Sequence, residues 1–170
     1  ITLTMSIKKV IATIAIATTV TGCASGQMAQ TRMIKQVTDG VEAQSAEIRL
    51  RNVKVIKSAT GEGILIGTLV NWSDKTDAIT SVSINNLPAI YTAKTSELLR
   101  NKPITFVGQV ANADAFIENL DKTPGYRVPV TFTFANAAPV TLDTLVVNGD
   151  GIYENLERYG KAVTTVETNP

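Results

Sequence analysis

Tyr126-Arg127-Val128-Pro129-Val130-Thr131-Phe132-Thr133-Phe134 alternates apolar and polar side chains from end to end. Tyr126, Val128, Val130, Phe132 and Phe134 fall on one face of an extended chain; Arg127, Pro129, Thr131 and Thr133 fall on the other. This period of two predicts a half-buried strand. Pro129 cannot donate a ladder hydrogen bond, so the strand, or that side of it, is expected at an edge or a bulge. Downstream, 140–147 forms a further strand that stops at Asn148-Gly149-Asp150-Gly151, a turn signal. Upstream, 103–110 offers Ile104, Phe106 and Val107, and 79–84 alternates again. The run 63–70, with Ile64, Leu65, Ile66, Leu69 and Val70, lies between Gly61-Glu62-Gly63 and Asn71-Trp72-Ser73-Asp74 and predicts a central strand buried on both faces. Nearer the start, Ile48 and Leu50 share one face and Val53 and Val55 share one. The parity changes at Arg51-Asn52, which predicts a bulge or a bend between sheets. Segments 114–120 and 154–159 are expected as single helical turns.

Several short strands separated by turn signals, with no internal repeat, predict an all-β domain over 46–150: an immunoglobulin-like antiparallel β-sandwich. Residues 151–170 form a C-terminal tail in this scheme. Residues 23–45 are polar and without a sustained period, and are expected as a flexible tether. About 20 such residues span about 25 Å on average and roughly 70 Å when extended.

The first 22 residues have the parts of a secretory signal: Lys8 and Lys9, then an apolar stretch from Val10 to Val20. That stretch falls short of the roughly 20 residues that a spanning helix needs. Val20-Thr21-Gly22-Cys23 matches a lipobox, which makes Cys23, the single cysteine, the expected site of a covalent lipid and the first residue of the mature protein. One fatty chain gives marginal membrane binding and two hold durably, at roughly 0.8 kcal/mol per methylene. An exported, lipid-anchored protein is expected.

Without residues 1–22, Lys plus Arg falls from 16 to 14 against 15 acids. Such a balance lacks the clustered basic excess of a nucleic-acid binder. The chain has no histidine, which removes the commonest general base and the commonest metal ligand together. A serine or cysteine nucleophile therefore lacks its usual activator. Asp114, Glu118 and Asp121 would share a helix face, but such a face is ordinarily solvated. Asp74 and Asp77 suit a turn. Asn148-Gly149-Asp150-Gly151 lacks the further oxygen ligands of a calcium loop. Met28 and Met33 offer thioethers but have no third soft ligand beside them. Neither catalytic nor metal-ligating residues are expected. Trp72, the single tryptophan, is either core or an exposed anchor for a partner. Tyr153, Leu156 and Tyr159 either dock back on the sandwich or contact another protein. Asn71-Trp72-Ser73 fits a glycosylation pattern that a bacterial lipoprotein does not normally use.

Gly22-Cys23-Ala24-Ser25-Gly26-Gln27 with Gln30-Thr31, the segment Ile48-Arg49-Leu50-Arg51-Asn52-Val53-Lys54-Val55, Leu69-Val70-Asn71 with Ser73-Asp74 and Asp77, and Val130-Thr131-Phe132-Thr133-Phe134 together resemble the actinobacterial LpqE lipoproteins. The resemblance implies a non-catalytic accessory protein of the respiratory supercomplex of cytochrome bcc and cytochrome aa3 oxidase, without a cofactor of its own beyond the lipid. Gln27, Gln30 and Thr31 in the tether, with Trp72, Tyr153 and Tyr159, are the candidate partner contacts. The expected fold is also similar to the periplasmic copper-chaperone domains, whose copper sites use histidine and methionine. Those ligands are missing from 46–150, so the copper activity does not carry over with the fold. The alternative function is a periplasmic carrier or sensor of copper or of a small ligand.

Overall fold

The computed structural model describes residues 39–161. They form eleven strands and one short 3-10 turn: β1 Val41–Ser45, β2 Ile48–Lys57, β3 Gly63–Asn71, β4 Asp77–Ile84, β5 Leu87–Pro88, β6 Ile90–Ala93, β7 Glu97–Leu98, β8 Ile104–Phe106, β9 Ala113–Ile117, β10 Arg127–Phe134, β11 Val140–Asn148 and the turn Gly151–Tyr153. Hydrogen bonding runs β5-β4-β10-β11-β2-β3-β8-β9-β6, with β1 added beside β2 and β7 beside β4. The ladder folds on itself as a barrel-like sandwich, with β5, β4, β10 and β11 in one layer and the remainder of the path in the other. Its seam is a short parallel pairing, Val146 with Val55 through Asn148 with Lys57. The expected β-sandwich is therefore present, but it is not wholly antiparallel: β11–β2 and β8–β9 run parallel.

The decisive stretch behaves as its alternation predicts, since Val128, Val130, Phe132 and Phe134 are buried. Phe132 meets Phe106 of the opposite layer at 6.2 Å between ring centroids, which ties the two layers at the core. Tyr126 departs from the pattern: it precedes the strand and is exposed. β10 is also internal, flanked by β4 and β11. Pro129 is accommodated because β4 ends at Ile84, opposite Val130. The Pro129 carbonyl accepts from Asn85 N, so the side on which its own N–H is missing faces the hairpin turn, past the end of the ladder.

The parity change at Arg51-Asn52 appears as a register shift between Arg51 and Lys54, with Asn52 at φ 52°. Asn tolerates that left-handed backbone better than most residues. β3 is central, paired to β2 on one side and to β8 and β9 on the other.

Four further expectations need correction. Val41–Ser45 lies in the segment assigned to the tether, yet it pairs with β2, and Val41 and Ser45 are buried. Residues 114–120 are not a helical turn: Ala113, Ala115 and Ile117 point inward from a strand, and Asp114 and Phe116 point outward. The strand expected at 103–110 stops at Phe106, because Val107 and Gly108 turn to φ 69° and 102°. The C-terminal turn also comes earlier, at Gly151–Tyr153 rather than at 154–159.

Candidate functional site

One end of the sandwich carries a cleft of about 450 Å³ between the β1–β2 turn, the β3–β4 loop and the β10–β11 loop. Glu47, Asn71, Lys75, Asp77 and Asn136 are among its lining residues. Asn71 closes β3, and its side chain organises the loop that follows: Nδ2 donates to Lys75 O at 2.8 Å and to Leu98 O at 2.7 Å, while Oδ1 accepts from Ser73 N at 2.8 Å. With its amide so committed and the residue 1% exposed, Asn71 cannot present a nitrogen to a glycosyl donor, which disposes of the glycosylation pattern.

Asp77 opens β4 and is buried. Its carboxylate accepts from Ala78 N at 2.7 Å, Asn136 N at 2.9 Å and Ala137 N at 2.8 Å, with a longer contact of 3.4 Å to Asn136 Nδ2. Burial by itself pushes this carboxyl up, but the amide donors of Ala78, Ala137 and Asn136 outweigh it and hold the group below the ordinary carboxylate range. Asp77 thus clamps the β10–β11 loop to the start of β4. A carboxylate kept ionised and surrounded by backbone amides is poorly suited to take up or release a proton near neutrality.

Beside the cleft stands Trp72, 51% exposed, which settles the choice between core and surface for this side chain. Its backbone N–H donates to Glu47 O, and the Arg49 guanidinium lies 3.8 Å from the indole centroid. Arg49 Nε is buried there without a hydrogen-bond partner among the described residues. A rigid aromatic ring held by a stacked guanidinium is the kind of group that anchors protein interfaces. Sequence reasoning named Trp72 but missed Arg49. Their proximity arises from Ile48 pairing with Asn71 across β2 and β3, a register that neither residue type announces.

The remaining candidates scatter. Tyr153 docks back, its hydroxyl accepting from Lys54 Nζ at 2.7 Å, and Tyr159 is half-buried in the same C-terminal segment. That segment lies against β2 and β9, where Lys54 and Asp114 hold it. Asp74 pairs with Arg100 on the surface. Asn148 donates to Asp150 within the terminal turn, and Gly149 N donates to Lys57 O. Asp114, expected on a solvated helix face with Glu118 and Asp121, is instead buried against Arg158. Cys23 with Val20, Thr21 and Gly22, the tether residues Gln27, Gln30 and Thr31, and Met28 and Met33 lie outside the described residues.

No family model matches the chain, and no curated protein does. Solved structures do match. The copper-bound PCuAC domain from PmoF2 is similar at a TM-score of 0.53 and 17% identity, over 64% of this chain and 98% of that domain. The apo PmoF2 PCuAC domain gives 0.52 and 16%, over 65% and 98%. The apo PCuAC domain from PmoF1 gives 0.54 and 17%, over 64% and 99%. The fold is therefore that of the PCuAC domains.

The donor chemistry of this chain does not fit copper in that frame. Residues 39–161 contain no histidine, cysteine or methionine, and no three acidic side chains converge on a metal-sized space among the described residues. Cu(I) is held by thiolate, thioether and imidazole. The cleft lining offers it no such donor, and the Asn71 and Asp77 side chains there are committed to backbone groups of the surrounding loops.

Proposed function

We propose that the chain is a non-catalytic, lipid-anchored binding protein whose PCuAC-fold domain docks on a membrane protein complex at the outer face of the cytoplasmic membrane. The LpqE resemblance makes the cytochrome bcc and cytochrome aa3 oxidase supercomplex that complex, with assembly or stability as the role. The observation that carries this reading is the residue content of the folded part: a frame shared with copper-binding domains, without a soft ligand at any of its described positions. Trp72 on its Arg49 support supplies a rigid anchor of the type that dominates interfaces. Cys23, once lipidated, would confine the domain to the membrane surface, and raised effective concentration there would let a modest interface suffice. Native-gel electrophoresis of mildly solubilised membranes tests it: the tagged chain migrates with the supercomplex, and migration as a free small protein beside an intact supercomplex overturns the assignment.

A second reading is a carrier or sensor of copper or of a small ligand. The comparisons favour it over docking, since the structural neighbours are PCuAC domains and one is copper-bound. The folded residues do not favour copper, so any thioethers would come from Met28 and Met33, and a small organic ligand would use the end cleft. Competition against a chromogenic Cu(I) chelator separates the readings. One equivalent of Cu(I) retained by the full chain, and lost in Met28→Leu/Met33→Leu, supports the carrier.

A further inference from the structure

The outer face of the second layer carries an apolar row that the sandwich core does not use. Ile56 of β2 pairs with Ile64 of β3, Ile64 pairs with Phe116 of β9, and Phe116 pairs with Ile90 of β6. Directly paired residues share one face of a sheet. Ile56 and Ile64 are buried although they stand apart from the central core cluster, and Ile90 at the far end of the row is exposed. Lys54, Glu62 and Asp114 surround the row.

Residues 150–161 cross this face. Tyr153 takes the Lys54 ammonium at 2.7 Å over β2. Arg158 then grips Asp114 with two bonds, Nε to Oδ1 at 3.0 Å and Nη2 to Oδ2 at 2.8 Å, and both side chains are nearly inaccessible, at 6% and 5%. Arg158 also stands 3.5 Å from Glu62, and Lys161 donates to the same Glu62 at 3.1 Å. Both cations lie against the Phe116 ring, at 4.4 and 4.0 Å from its centroid. The hold is made by side chains: among the described residues, one backbone hydrogen bond ties the segment to the sandwich, from Gly108 N to Glu157 O. No residue of its 3-10 turn is buried, and it leaves β11 through Gly151 at φ 55°, a position where glycine moves freely.

We propose that residues 150–161 are a releasable strap, latched by Arg158 on Asp114 and Glu62, and that the face beneath is a docking surface for a basic, aromatic-bearing segment of a partner protein. This rests on the docking reading above. Charge complementarity selects the occupant. Once the strap lifts, Asp114 and Glu62 stand beside Phe116 as a negative rim on an apolar row, which attracts a cationic segment and repels an acidic one. A guanidinium or ammonium supplied in trans restores what Arg158 and Lys161 supply in cis. Until then the strap shields the apolar row from non-specific contacts.

The strap's own sequence is the natural probe. A labelled peptide of residues 151–161 is titrated into the full chain, wild type and Arg158→Ala, with Arg158→Ala/Asp114→Asn as the control. Binding to Arg158→Ala at least tenfold tighter than to wild type, lost again in the double variant, is the expected result; equal binding to all three overturns the docking face. In parallel, tryptic cleavage after Arg158 and Lys161 is timed in wild type and in Asp114→Asn, an isosteric change. At least tenfold faster cleavage with the thermal transition of the sandwich retained is expected. An unchanged rate, or a sandwich that melts together with the strap, overturns the latch. Neither assay contains the membrane complex. If both succeed while the chain purifies without a complex, the docking assignment fails and the strap stands. If the complex is recovered and the peptide does not bind, the reverse holds.

Discussion

Replacing Asp77 by alanine tests whether the end of the sandwich is built as described. The carboxylate accepts two backbone N–H groups from across the fold, Asn136 N at 2.9 Å and Ala137 N at 2.8 Å, and one from its neighbour Ala78 at 2.7 Å. A hydrogen bond to a charged group contributes about 1.5–3 kcal/mol, and a buried donor left unpaired costs about 1–3 kcal/mol. The cleft borders Asn136 and Ala137, so water enters the vacated space and re-pairs part of these donors. The net loss for Asp77→Ala is therefore about 2–4 kcal/mol. Asp77→Asn keeps the shape and loses the charge, and falls toward the lower end of that range. The pH dependence follows from the lowered folded pKa. A carboxyl depressed on folding contributes its stability in full above its unfolded pKa, near ~3.9, and loses it as pH falls through the folded value. The gap between wild type and Asp77→Asn is thus constant above about pH 5 and closes below about pH 4. Urea unfolding followed by far-UV circular dichroism, at a series of pH values, measures both quantities. A loss under about 0.5 kcal/mol, or a gap that does not change with pH, would refute the clamp.

Phe132→Ala removes a fully buried ring that meets Phe106 across the two layers, and thermal or urea unfolding should show a loss of about 3–5 kcal/mol. Trp72→Ala leaves stability within about 1 kcal/mol, since the ring is half-exposed, while lowering recovery of the partner complex at least several-fold. Gly149→Ala places a Cβ 2.5 Å from Lys57 O, where Gly149 N now donates; the resulting shift of the β11 end should lower the melting temperature by several degrees. Glu62, lifted by burial but held below its ordinary range by Lys161 and Arg158, adds a second acid-sensitive contact. Acidification through the lowered range in which that carboxylate takes up a proton should loosen the strap, so its cleavage by an acid-active protease such as pepsin accelerates in wild type and not in Glu62→Gln.

The strands could be read from the sequence where a strict period of two coincided with one buried face, as along β10, and even a break in that period was informative, as at Arg51 and Asn52. Errors arose where local chemistry imitated another structure. Asp114, Glu118 and Asp121 have helical spacing, and the small inward residues Ala113 and Ala115 weakened the strand signal that competes with it. Val41–Ser45 is short and carries polar side chains outward, so its pairing with β2 outweighed an unremarkable local sequence. The Arg49–Trp72 stack and the Arg158 latch depend on contacts between distant segments, the latter over 44 residues to Asp114, and no local period encodes them. The lack of histidine, cysteine and methionine in residues 39–161, by contrast, needed no structure at all, because it is read directly from the sequence.

The most direct test of the central claim is affinity purification of the tagged full chain from mildly solubilised membranes, with Cys23→Ala as the control and mass spectrometry of what accompanies it. Near-stoichiometric cytochrome bcc and aa3 oxidase subunits with the wild type, sharply reduced with Cys23→Ala, is the predicted result. Recovery of the tagged chain alone, from membranes in which the supercomplex is shown to be intact, would contradict the docking role and favour the carrier.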